Sequence, residues 1–261
     1  MIDYLNIAVR AAIDAGMIAL KKQFEGLNVE IKDDDTPVSD ADIEVNDEIL
    51  KLLKASDLPV LSEESKQTAF EERKKWPLFW MLDPIDGTKS FIKGEKDFTI
   101  NIALIRRDTP VLGVVFAPAS AELWYGVLNS GAWKLKVNDG KSSINELFAQ
   151  SKSLPVTKTQ TPVIIVTCSH MNDDTKELIE KAKKVFPDAE IKQEGSSLKF
   201  CRVAEGSADL HIRAGTVHEW DTAAGDAVLR AAGGKVLDDY NGQSLKYNSK
   251  TLEVKRVWAE I

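Results

Sequence analysis

WMLDPIDGTKSF, Trp80 to Phe91, sets an apolar run against two aspartates three apart, followed by a glycine and a threonine. Its first half belongs to LFWML (Leu78 to Leu82), a short apolar run that reads as a buried strand delivering the chain to Asp83. Asp86 then stands where a helix beginning at Gly87 would need a cap. Two carboxylates therefore lie at the edge of a core, and the rest of the fold is read from what surrounds them.

Upstream, LPVLSEE reads as a second strand, ending in Glu63 and Glu64. Before it come two long helices. The first carries Leu5, Val9, Ile13, Met17, Leu20 and Phe24 at helical spacing. The second lies within TPVSDADIEVNDEILKLLK, with Ser39 as N-cap, Asp42 at the third helical position, and Ile43, Ile49, Leu50 and Leu53 expected to face inward. Downstream, DFTINIALIRR, PVLGVVFAP, AELWYGV and GAWKLKV follow at short intervals and predict an antiparallel meander. From Asn138 to Pro162 the sequence turns polar and irregular. Beyond it PVIIVTC, a helix around KELIEKAKKVF, AEIKQ, a helix from Ser197, ADLHIR, a helix from Asp221 and KVLDD alternate as α/β units do. The expected class is thus α/β, with an α+β N-terminal half in residues 1–145 and an α/β C-terminal half in residues 146–261. No internal repeat of fixed period occurs.

The 261 residues are 43% hydrophobic and 29% charged, an ordinary globular balance that excludes a disordered chain. No apolar run approaches the ~20 residues of a membrane-spanning helix. The N-terminus alternates acidic and apolar residues, unlike a secretory signal, so a cytoplasmic location is expected. Cys168 and Cys201 lack the spacing of a zinc site or a disulfide framework. A net charge of −7 disfavours a nucleic-acid polymer as partner but permits a small anionic ligand if metal ions neutralise it. Oligomeric state is not legible.

Glu63, Glu64, Asp83 and Asp86 all end apolar segments, and Asp221 opens the helix of WDTAAG. Singly, each has a plain reading: Asp83 before a proline as a turn residue, Asp86 and Asp221 as helix caps, Glu63 as a solvated side chain. Jointly, carboxylates beside a core require compensation, and a hard divalent cation such as Mg2+ or Mn2+ suits an oxygen-only donor set. Gly87, lacking Cβ, would let the backbone approach a phosphate at a helix N-terminus, with the Thr88 N–H and hydroxyl directed at the same group. The three-residue separation of Asp83 and Asp86 excludes a dehalogenase-type aspartyl phosphatase. No Cys-Arg loop, phosphate loop or GxSxG elbow occurs. Water is left as the nucleophile.

LSEE (61–64), DPIDGT (83–88) and WDTAAG (220–225) resemble, in order, the three signature blocks of the inositol monophosphatase superfamily of magnesium-dependent, lithium-sensitive phosphatases. DPIDGTKSFIKGEKDFTINIALI, VLGVVFAP and GSSLKFCRVAEG are further similar to its CysQ-type 3'(2'),5'-bisphosphate nucleotidases, enzymes of sulfur metabolism. The resemblance runs from about Thr36 to Asp238 and implies a layered αβαβα fold. It implies that Glu63, Asp83, Asp86, Asp221 and the Ile85 carbonyl hold two or three Mg2+ ions, with Glu64 behind them. It also implies that Thr88, with Asp42 and Glu63, positions and deprotonates the attacking water. Asp42 equally fits a capping-box acid.

The inositol-specific branch carries an acidic residue where HIRAG has Arg213, and an arginine favours a second anionic group on the substrate. Ser196 and Lys199 of GSSLKF, at the start of a helix, and His170, just past PVIIVTC, are the other expected contacts to a nucleotide bisphosphate, with Gly87, Thr88 and Asp221 facing the scissile phosphate. Plainer alternatives are a strand-end arginine, ordinary N-capping and a structural histidine. His218 and Glu219, in TVHEWD, depart from the family's less charged lead-in and are expected to alter the pocket rim. The implied reaction is removal of the 3'-phosphate of adenosine 3',5'-bisphosphate. An inositol-monophosphate or broad sugar-phosphate phosphatase would share every metal ligand. A metal-dependent nucleotide-binding regulatory protein would have no use for Thr88 and Asp42 as water activators.

Overall fold

A computed structural model describes residues 1–31, 37–156, 160–167 and 173–261. The chain opens with α1 (Ile2–Glu25), then a ribbon of β1 (Val29–Ile31) antiparallel to β2 (Pro37–Ser39), and α2 (Asp40–Leu53). Both helices are amphipathic, but their buried stripe is not centred where the large apolar residues suggested. Met17 and Phe24 are 43% and 93% exposed, and Ile43 is 46% exposed, so all three lie outside the face assigned to them. Repeated steps of four residues drift by about 40° each, so position 17 has turned about 120° from Leu5. The true stripe of α1 follows Ala8, Ala12, Ala15, Gly16 and Ala19. These small residues bring the helix down on the sheet, where a Cβ at Gly16 would sit 2.6 Å from Phe116 Cδ1.

Next come β3 (Val60–Ser62), α3 (Phe70–Arg73), β4 (Phe79–Asp86), α4 (Thr88–Ile92), β5 (Thr99–Arg106), β6 (Thr109–Ala117), β7 (Glu122–Val127), β8 (Gly131–Lys136), α5 (Ile144–Ala149) and β9 (Lys152–Ser153). These strands form a seven-stranded sheet in the order β3-β4-β5-β6-β7-β8-β9, antiparallel throughout except for the parallel β3–β4 pair, as the meander predicted. The LFWML strand does not stop at Asp83. It runs on to Asp86 with a register shift between the two aspartates, where Pro84 cannot donate to the ladder.

The remainder is β10 (Val163–Thr167), α6 (Asp173–Val185), β11 (Glu190–Glu194), α7 (Leu198–Glu205), β12 (Leu210–His218), α8 (Trp220–Ala231), β13 (Lys235–Asp238) and β14 (Glu253–Glu260). They build a five-stranded mixed sheet in the order β11-β10-β12-β14-β13. The closing strand β14, within LEVKRVWAE, lay outside the sequence-based reading, yet it sits between β12 and β13. Alternation sorts the core into three apolar layers. One joins α1 and α2 to a face of the first sheet through Trp80, Ile100 and Ile102. The second places α7 and α8 between the two sheets, and the third covers the far face of the second sheet with α6. The order is α-β-α-β-α, the layering the resemblance implied.

Helix α8 lies directly on the first sheet because two strands present glycine beneath it. A Cβ at Gly113 would stand 2.7 Å from Ala227 Cβ, and one at Gly126 would stand 2.8 Å from Ala231 Cβ. This close approach carries the N-terminus of α8, and Asp221 with it, to the end of β4.

Candidate active site

Glu63 follows β3, Asp83 and Asp86 lie on β4, and Asp221 is in the first turn of α8. One carboxylate oxygen each from Glu63, Asp83 and Asp221 falls within 4.8 Å of the others. They face a cavity of about 460 Å³ whose wall also includes Ile85, Asp86, Gly87, Thr88, Ser196, Lys199 and Arg213. The structure therefore brings together eleven of the residues singled out from sequence, His218 included, drawn from the separated stretches 63, 83–88, 196–199 and 213–221. Asp86 stands beside the three clustered oxygens rather than among them, with Oδ2 accepting from Asn101 Nδ2 at 3.1 Å. His170 lies outside the described residues.

The electrostatics are those of an uncompensated acidic cluster. Burial first, then the charges of Glu63, Asp86, Asp221 and Asp42, push the Asp83 carboxyl well above its ordinary range. Burial and the Asp86 charge push Asp221 up to about 7, against the opposing pull of the His218 N–H, Arg213 and Asp83. Asp83 is 2% exposed and its Oδ1 has no hydrogen-bond partner. A buried carboxylate oxygen without a donor, in an oxygen-only set, fits a hard divalent cation.

Two features shape the turn from β4 into α4. Gly87 has φ +96°, and a Cβ there would stand 2.8 Å from the Asp97 carbonyl oxygen, so the turn from β4 into α4 requires glycine on both counts. The Thr88 hydroxyl donates to the Ile85 carbonyl at 3.1 Å. Asp42 does not line the cavity. It is 1% exposed, and its Oδ2 accepts from Ser39 N–H at 2.8 Å and Ser39 Oγ at 2.6 Å, the arrangement of a capping-box acid. Glu64 is also absent from the cavity wall.

The cavity wall also carries cations, Arg213 and Lys199. Arg213 and His211 share one face of β12, since residues two apart in a strand point the same way. β12 does not end at Arg213 but continues to His218, so the guanidinium projects from mid-strand. Burial lowers its pKa, Asp221 and Asp86 counter this, and its Nε has no partner. Lys199, in the first turn of α7, is 4% exposed and its ammonium donates to the Ser196 carbonyl. Ser196 itself has φ +46° and a buried hydroxyl without a partner.

Several site residues escaped the sequence reading. Thr99 and Asn101 are buried on β5, and Asn101 touches both Asp86 and Ser197. The available signal was polarity at inward positions of TINIAL. His211, fully buried, donates Nδ1–H to the Ile165 carbonyl at 3.1 Å, and its place two residues before Arg213 was the clue. His218 does reach the cavity, stacked on Trp220 with ring centroids 4.5 Å apart. Glu219 does not. Its carboxylate is buried on the other side of the junction, accepting from the Asn248 and Ser249 N–H groups, because two backbone donors satisfy it there better than the acidic cavity would.

The profile of the inositol monophosphatase family matches residues 2–260. The chain belongs to the inositol monophosphatase family. Its members are metal-dependent phosphatases, and the carboxylate cluster can bind metal. Within the family the chain is similar to the 3'(2'),5'-bisphosphate nucleotidase CysQ of Salmonella typhimurium, at 40% identity over 84% of this chain and 82% of the relative. It is also similar to that of Escherichia coli, at 37% identity over 96% of this chain and 95% of the relative. Among solved structures, CysQ from Bacteroides thetaiotaomicron superposes with a TM-score of 0.87 at 35% identity, covering 97% of this chain and 95% of that one. Among the described residues no helix is long and apolar enough to cross a membrane.

Proposed function

We propose that this protein is a cytoplasmic, Mg2+-dependent phosphatase that removes the 3'-phosphate of adenosine 3',5'-bisphosphate, giving AMP and inorganic phosphate. The observation that carries the reading is the clustering of Glu63, Asp83 and Asp221 oxygens within 4.8 Å at a cavity whose wall also bears Arg213 and Lys199. Acidic residues suit metal, and cations in the same cavity suit a substrate with a second phosphate. Similarity to proteins named 3'(2'),5'-bisphosphate nucleotidase supports the same substrate class.

On this reading residues 1–145 supply Glu63, Asp83, Asp86 and the Ile85 carbonyl, and residues 146–261 complete the site through Arg213 and Asp221. These four carboxylates and the carbonyl would hold two or three Mg2+ ions, for which Mn2+ can substitute. When bound, such ions make a water nucleophilic near neutral pH and stabilise the leaving ester oxygen. Glu63 and Thr88 orient the attacking water. For Thr88 to hand a proton toward Asp42, its single hydroxyl hydrogen must leave the Ile85 carbonyl, which then becomes free to accept or ligate. The N–H groups following Gly87 and the first turn of α8 at Asp221 face the scissile phosphate. Arg213, Lys199, Ser196 and His170 take the 5'-phosphate and nucleoside. No covalent phosphoenzyme is needed.

The test is phosphate release by purified protein with Mg2+ from adenosine 3',5'-bisphosphate and, separately, inositol 1-phosphate. The nucleotide is expected to be hydrolysed much faster. The reverse order assigns the protein to the inositol or sugar phosphates, and binding of nucleotide without turnover assigns it a regulatory role.

A further inference from the structure

Asn101 sits in the middle of β5, opposite Asp83 in the ladder, on the face turned toward α7 and α8. That face continues as Ala103 and Ile105 in the apolar layer, so an amide replaces a hydrocarbon where burial is almost complete. Both of its protons are committed. One goes to Asp86 Oδ2 at 3.1 Å and the other to Ser197 Oγ at 3.0 Å. Ser197 in turn donates its only proton to the Asp221 backbone carbonyl at 2.8 Å. The orientation of the amide follows from its neighbours: an ionised carboxylate only accepts, and the hydroxyl proton is already spent, so Nδ2 must face them and Oδ1 must face away. Asp86 lies at the end of β4 and Asp221 on α8. The amide is therefore a mechanical link between two carboxylates that the chain places 135 residues apart.

Resting on the reading that Asp86 and Asp221 hold divalent cations, we propose that Asn101 is the positioning residue that sets their relative geometry, occupying one Asp86 oxygen so that the other is presented to a cation and tying that carboxylate through Ser197 to the helix bearing Asp221. Partners of this kind typically change metal affinity by about 10–100-fold when removed. An aspartate at 101 would keep the shape but set an acceptor against two acceptors, whereas leucine would remove both donors.

The experiment measures Mn2+ binding to the full-length protein without substrate, by calorimetry and by the free-Mn2+ electron paramagnetic resonance signal, together with the Mg2+ dependence of the rate. For Asn101→Leu and Asn101→Asp, Mn2+ affinity is expected to fall about 10–100-fold and the half-saturating Mg2+ to rise in parallel, with much of kcat recovered at saturating Mg2+. Ser197→Ala, which leaves the Asp86 contact intact, is expected to produce a smaller loss. Its effect should largely vanish in the Asn101→Leu background, because both act through one chain of hydrogen bonds. Unchanged Mn2+ affinity per folded molecule in the Asn101 variants overturns the proposal. If those variants fail to fold, unchanged Mn2+ affinity in Ser197→Ala overturns it instead. Failure of the underlying reading is distinct, since in that case the unmodified protein binds no Mn2+ that Asp86→Asn abolishes.

Discussion

Asp83 and Asp221 hold protons in the metal-free fold at pH values where the unfolded chain has already released them, because burial and neighbouring carboxylates raise both. Each contributes stability that is fully present below the ordinary carboxylate pKa of about 4 and is lost as pH rises through its own raised folded-state value, about 7 for Asp221. A bound divalent cation replaces those protons and reverses the trend. The gain in Tm on adding Mg2+ to chelator-treated protein should accordingly be larger at about pH 8 than at about pH 5.5. Differential scanning fluorimetry at the two pH values checks this, and an equal gain at both would remove Asp83 and Asp221 from the metal shell. Asp86→Asn keeps an oxygen for the Asn101 amide while deleting the charge. Turnover should fall about a thousandfold or more, the equivalent of several kcal/mol of electrostatic stabilisation, while unfolding free energy changes by no more than about 1 kcal/mol. Phosphate release and urea denaturation on the same sample separate the two effects.

At the scale of the element, the site exists because α8 can come close to the sheet. Gly113 and Gly126 are the contact, and the Ala224 carbonyl lies 2.3 Å from where a Gly113 Cβ would be. Gly113→Ala should force α8 outward, with an overpacking loss of about 1–3 kcal/mol and a rise in half-saturating Mg2+ as Asp221 leaves its partners. A shift in stability without any change in Mg2+ dependence would show that Asp221 moves independently of the helix body. Neither glycine stands out in VLGVVF or WYGV, since nothing local says which strand residue a distant helix will cross. The site was legible where chemistry is written in short blocks: SEE delivers Glu63, though not Glu64, to the cavity, and DPIDGT and WDTAAG deliver Asp83, Asp86 and Asp221. Packing was legible only where side chains are large. The buried stripe of α1 runs through alanines, so weighting by bulk pointed to Met17 and Phe24 instead. Strand β14 was missed because Lys255 and Arg256 interrupt its apolar pattern. The Asn101 bridge was missed because its meaning depends on Ser197 and Asp86 arriving from elsewhere.

Across the whole molecule the two sheets are joined not only by the apolar layer of α7 and α8 but by a charged knot at its rim. Glu205 of α7 accepts from Lys134 of β8 at 2.7 Å and from Trp124 Nε1 of β7 at 3.1 Å. Arg202 of α7 pairs with Glu205 and with Glu194 of β11, each at 3.0 Å, and both Lys134 and Arg202 lie over the Trp124 ring. Burial raises the Glu205 pKa, but the Lys134 hydrogen bond and the nearby Arg202 and Lys134 charges outweigh it and hold the group below its ordinary value. A lowered carboxyl pKa adds stability above the unfolded value of about 4.3, and that stability is lost as pH falls through the folded value. Glu205→Gln preserves the shape and removes one of three carboxylates around Lys134 and Arg202, which keep Glu122 and Glu194, so it should destabilise by about 1 kcal/mol near neutral pH through the lost charge-assisted hydrogen bonds. The deficit relative to the unmodified protein should shrink as the pH falls below about 4.3 toward the lowered Glu205 value, where protonation removes from the unmodified protein the charge that the variant already lacks. Glu205 does not border the cavity, so kcat/KM per folded molecule should stay within about twofold, by the rule that distant, unshared sites act independently. Urea unfolding at the two pH values, with activity measured on the folded fraction, tests both claims. A deficit that is independent of pH would mean that the knot stabilises by shape and not by charge, and a loss of activity per folded molecule would mean that the spacing of the two sheets itself sets the geometry of the carboxylates.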